Sequence, residues 1–121
     1  MKLKLYFTDE RHEKAFRELR AKLHDPNHEY WLPVIYIASS SEALQQKMMP
    51  YINFEERAYF GHDMMDTVEF TEEESLLATL SINLFNNSKK FELSLLAKLG
   101  PKGLVPVALS AIALRHQLAE L

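Results

Sequence analysis

Nine consecutive residues, Tyr30 to Ala38, carry no charge and are mostly apolar. A run with no polar side can be hidden only if the rest of the chain packs around it from every direction, so it must lie at the centre of the fold. Period alone cannot separate helix from strand in such a run. Val34, Ile35, Tyr36 and Ile37 lean towards strand by propensity, and Pro33 removes a donor from either structure. The preferred reading is a buried helix kinked at Pro33. At 121 residues the chain is long enough for one core, and a single domain spanning 1–121 is expected. Surface scaling leaves about two-thirds of the unfolded surface buried in a chain of this size, which needs no disulfide or metal staple.

The flanking segments read mainly as amphipathic helices. Lys2 to Phe7 alternates briefly like a strand. Thr8 reads as an N-cap, with Asp9 and Glu10 at the positive end of a helix that runs to about His24. Its apolar arc is His12, Ala15, Phe16, Leu19 and Leu23, and its opposite face offers Glu10–Lys14, Glu13–Arg17 and Glu18–Lys22 at i,i+4. Asp25 can cap a new helix with Pro26 at its first position. Ser39 and Glu42 have capping-box spacing and open a short helix that ends before Pro50. Residues 50–70 carry little pattern beyond one helical turn near Glu55–Phe60. Thr71 and Glu74 form a second capping box, for a helix stopped by Asn86-Asn87-Ser88. Glu92 to Leu99 reads as a short helix closed by Gly100-Pro101, and the last helix runs from about Leu104 to Ala119, with Pro106 in its first turn. The expectation is an all-α domain of five to six helices. The alternative is α/β, with strands at 2–7 and 34–38.

Several chemistries are absent from the sequence. With no cysteine there is no disulfide scaffold, thiolate metal site or cysteine nucleophile, and three glycines make no phosphate-cradling loop. No apolar run is long enough to span a bilayer and no signal-peptide core is present, so a cytoplasmic address is expected and no membrane partner. No cofactor and no catalytic residue are expected, because no nucleophile has an evident activating partner. His12 reads as a core histidine on an apolar arc; His24, His28 and Glu29 read as cap and loop residues around Asp25; His116 falls on the apolar arc of the last helix. One patch is rich in metal-ligand types, His62, Asp63 and Asp66, so a metal-binding protein or metal-dependent enzyme is one alternative. A second is a helical nucleic-acid module using Arg11, Lys14, Arg17 and Arg20, which the net charge of −3 disfavours.

Charge and helix patterning point instead to a protein partner. Residues 55–74 carry eight carboxylates against Arg57 alone. On the helix opened by Thr71, the stripe away from the leucines is Ser75, Thr79, Asn83 and Asn86, polar but uncharged, and so suited to meet protein. The last helix has one apolar arc at Val105, Ala108, Leu109 and Ile112, and another, nearly opposite, at Val107, Leu114, Leu118 and Leu121. Such a helix is either central to the core or shared with a second copy of the chain. The expected function is a non-catalytic protein-interaction module of unknown process, steered by its acidic segment towards a basic partner. The candidate partner-binding residues are Glu72, Glu73, Ser75, Thr79, Asn83, Leu114 and Leu118, with a homodimer through the last helix as a further expectation.

Leu5-Tyr6-Phe7 with His12 and Phe16, Tyr36-Ile37-Ala38-Ser39-Ser40, Pro50-Tyr51-Ile52, Asn83-Leu84-Phe85-Asn86 and Ala111-Ile112-Ala113-Leu114-Arg115 together cover most of the chain. In these stretches the sequence resembles a small uncharacterised family of proteins from Gram-positive bacteria and their phages or mobile elements. The resemblance implies mostly helical structure and a possible prophage origin, and it brings no activity or site residue. Pro33 departs from the uninterrupted helix expected there.

Overall fold

A computed structural model describes residues 2–121, and among them the chain is all-α, with seven helices and four strands of two residues each. In chain order these are β1 (Leu3–Lys4), α1 (Glu10–Arg20), α2 (Trp31–Ala38), α3 (Glu42–Met48), β2 (Ile52–Asn53), β3 (Ala58–Tyr59), α4 (Gly61–Thr67), α5 (Glu72–Asn86), α6 (Leu96–Leu99), α7 (Val105–Arg115) and β4 (Ala119–Glu120). The count exceeds the expected five to six because α4 is too short to show a repeat, whereas the helix expected over Glu92–Leu99 is present as α6, preceded by a 3-10 turn at Leu93–Leu95. No described helix is long and apolar enough to cross a membrane.

The uncharged run is the central helix. All eight residues of α2 are buried, and it packs chiefly on α5 and α7. It is neither a strand nor kinked in its middle. The helix starts at Trp31, so Pro33 sits in the first turn, where a backbone N–H has no intrahelical partner anyway. The preceding carbonyl of His28 accepts from the N–H groups of both Trp31 and Leu32. Asp25 and Pro26 do not open the helix. They form a turn in which Asp25 Oδ1 accepts the Asn27 N–H and Arg20 donates to the Pro26 carbonyl and to Asn27 Oδ1.

Two helix starts differ from the sequence reading. Asp9, not Thr8, caps α1, accepting the His12 N–H at 2.7 Å, while Thr8 instead donates its N–H to His12 Nδ1 and its hydroxyl to the Ser40 carbonyl. Ser41, not Ser39, caps α3, because α2 continues to Ala38 and the Ser39 hydroxyl bonds back to the Ile35 carbonyl. The helix α1 ends at Arg20, short of His24, and Glu13–Arg17 is the one pair of the three expected that closes, at 3.5 Å. The Thr71–Glu74 capping box is formed, and Asn87 ends α5 in the left-handed region at φ 58°.

Residues 50–70, expected to be mostly loop with a turn near Glu55–Phe60, form an antiparallel β2–β3 hairpin followed by α4. The last helix stops at Arg115, and the chain then returns as β4, which pairs in parallel with β1. An aromatic cluster of Phe7, His12, Phe16 and Tyr36 joins α1 to α2, with ring centroids 4.7–6.0 Å apart.

Candidate functional site

The acidic segment folds into a surface. On α4, Gly61 and Met64 are buried, which turns His62, Asp63 and Asp66 to solvent. Gly61 lets the helix lie close on α5, since a Cβ there would stand 2.6 Å from Ile82 Cγ1. Glu69 and Glu72 are exposed and Glu73 is half-buried at the start of α5. Phe60, directly before α4, is 47% exposed. Glu74 is withdrawn from this surface: it receives the Thr71 N–H and the Lys47 ammonium, the latter at 2.6 Å. Burial alone raises the Glu74 pKa, but the Lys47 and Thr71 hydrogen bonds outweigh it and hold the carboxyl below its ordinary value. The ion pairs among the described residues are Arg17–Glu13 and Lys47–Glu74, so the carboxylates of Asp63, Asp66, Glu69, Glu72 and Glu73 are left unpaired.

The other candidate residues take varied positions. Asn83 donates to the Lys89 carbonyl and to Asn87 Oδ1, and with half-buried Ser75 and Thr79 it lies on a stripe that the chain's own return covers in part. Leu114 is 2% exposed in the core and unavailable to a partner, because the arc that carries it faces inward. Leu118 lies beyond the end of α7, half-exposed, where its carbonyl accepts the Leu3 N–H. His62 Nε2 lies 2.9 Å from the Ser88 hydroxyl, and among the described residues no three His, Asp or Glu side chains come together as a metal-holding group. His116 is the exposed C-cap of α7 rather than part of an apolar arc. Of the four basic residues on α1, Arg11 bonds Gln45 and the Ser39 carbonyl, Arg17 lies over the Phe7 and Phe16 rings, and Arg20 holds the turn, which leaves Lys14.

His12 is fully buried between two partners, with Nδ1 accepting from Thr8 N–H and Nε2 therefore donating to the Tyr36 carbonyl at 3.0 Å. Burial, the largest influence, lowers its pKa, with a partial opposing effect from the Tyr36 carbonyl. The ring is a neutral strut from α1 that ties the Thr8 backbone just before that helix to Tyr36 of α2.

One feature has no counterpart in the sequence reading. A cavity of about 530 Å³ opens where the α1–α2 connection, the start of α2, the hairpin tip and the end of α5 meet. Trp31, Phe54 and Phe85 form its aromatic wall, and His24, His28 and Arg57 are polar groups on its lining. These residues come from three separated segments, so no local spacing could have announced them. The only hint was the pair of histidines flanking Asp25. A scan against protein-family models and searches of curated proteins and of solved structures returned no match.

Proposed function

We propose that this chain is a non-catalytic protein-interaction module, acting in the cytoplasm and encoded by a Gram-positive bacterium or one of its mobile elements, and that it binds a partner with a basic surface through α4 and the start of α5. The observation that carries this reading is the surface of five unpaired carboxylates beside the exposed Phe60 ring. Clustered like charges at a surface raise the local potential and speed encounter with an oppositely charged protein, and a central aromatic side chain is the usual anchor once contact is made. Glu74 takes no part, since the capping box and Lys47 occupy it.

The test compares capture from native lysate by the wild-type chain and by Asp63→Lys/Asp66→Lys/Glu72→Lys, which alters exposed positions alone. A basic partner recovered near stoichiometry by the wild type should be lost by the variant, and its association rate should fall about tenfold or more at low salt. Equal recovery by both proteins, or a rate insensitive to salt, overturns the reading. Recovery of a second copy of the chain instead would move the function to self-association around Leu3 and Leu118.

A further inference from the structure

The cavity beside Trp31 is independent of the acidic surface and has the make-up of a small-molecule site. Its volume of about 530 Å³ lies within the range in which proteins enclose small ligands. Its wall consists of rings in differing orientations: Trp31 and Phe85 meet at 67° with centroids 4.9 Å apart, and Trp31 and Phe54 at 36° and 6.4 Å. Phe54 and Phe85 are only half-buried, so ring surface remains open to a flat guest.

The polar groups on the lining are biased towards donors. Arg57, the lone base of the acidic segment, reaches the cavity from the hairpin tip with its backbone at φ 55°, a conformation that L side chains other than Asn and Asp seldom adopt. Neither ion pair of the described residues involves it. His28 Nδ1 accepts the Tyr30 N–H at 3.3 Å, which leaves Nε2 as the donor, and His24 lies on the same lining. The one carboxylate there, Asp25, is engaged by the Asn27 N–H. A guanidinium donates two parallel hydrogen bonds to a planar or tetrahedral oxyanion. We propose that this cavity binds a small molecule with a flat aromatic body and one anionic group, the rings holding the body and Arg57 with the two histidines holding the anion. A carboxylate and a phosphate share this chemistry.

Trp31 is the only tryptophan, so a ¹⁵N-labelled sample gives a single indole N–H signal that reports on the wall of the cavity. The full chain is titrated separately with 2-naphthoate, 2-naphthyl phosphate and 2-naphthylmethylamine, which share a ring system and differ in charge. At least one anion should shift the Trp31 signal saturably, with a Kd of about 1 mM or tighter for a guest of this size. The tighter of the two identifies the anion class. The amine should bind about tenfold more weakly or worse, and Arg57→Gln should weaken the anion by a similar factor while leaving the amine unchanged. Arg57→Gly, which suits the positive φ, repeats the test should the glutamine variant unfold. No shift with either anion up to about 10 mM, an amine that binds as well as the acids, or wild-type affinity in both Arg57 variants overturns the proposal.

Discussion

Gly61→Ala should destabilise the protein although alanine is the better helix former. The added Cβ would lie 2.6 Å from Ile82 Cγ1 and 2.8 Å from Cδ1, whereas carbon atoms in contact settle near 3.5–4.0 Å. Ile82 is 2% exposed and its inner carbon cannot swing aside, so α4 itself has to move by the better part of an ångström. Overpacking of this kind costs about 1–3 kcal/mol, and replacing glycine in a helix returns at most about 1 kcal/mol. A net loss of about 1–2 kcal/mol is expected, read as a lower urea midpoint at unchanged slope. The proof lies in Ile82→Ala, which removes the atoms in the way. Alone it should cost about 2–5 kcal/mol for the hole it leaves. In that background Gly61→Ala should be neutral or stabilising, giving a coupling of about 1–3 kcal/mol between the two sites. If Gly61→Ala alone is within about 0.5 kcal/mol of wild type, or the two changes simply add, the close approach of α4 to α5 is not what seats the acidic surface.

Stability should also fall in mild acid because of His12. Burial lowers its folded-state pKa below the ordinary 6.5, so between those two values the unfolded chain binds more protons. The stabilisation is therefore complete above pH 6.5 and is lost as pH drops through the folded value, at a limiting slope of about 1.4 kcal/mol per pH unit. His12→Gln should flatten urea-melt stability as pH falls below about 6.5, and an unchanged slope would refute the assignment. Leu114→Glu buries a charge in the core and should abolish cooperative folding, whereas Leu118→Glu should stay within about 0.5 kcal/mol of wild type. A folded, monomeric Leu114→Glu from a dimeric parent would instead put that residue at an interface.

The parts of this fold that were legible share a local cause. Thr71 and Glu74 satisfy each other's backbone N–H groups within four residues, so the capping box and the helix after it stand in the sequence as they stand in space. The uncharged run announced its burial, but its conformation depended on where the helix begins, and only the His28 carbonyl and the neighbours of α2 decide that. In isolation Ser39, with Glu42 at capping-box spacing, is the better cap, yet the length of α2 makes Ser41 the cap. The helix α4 was missed because seven residues that bury only Gly61 and Met64 leave no period to read. For the site, charge counting located the acidic surface but could not know that Lys47, 27 residues away, removes Glu74 from it. The aromatic cavity was invisible for the same reason: it belongs to the assembled packing and to no segment.

The parallel contact between β1 and β4 ties residue 3 to residue 119, and the Tyr6 N–H donates to Ser110 across 104 positions. On a ribosome, the first strand of this chain is synthesised long before anything exists to pair with it. The helices can gather around α2 as they emerge, but Leu3 and Lys4 remain without their strand partners until residues 119 and 120 have left the exit tunnel. Closure of the β1–β4 contact therefore waits on the last element of the fold, and a nascent chain stalled before residue 119 would leave β1 unpaired.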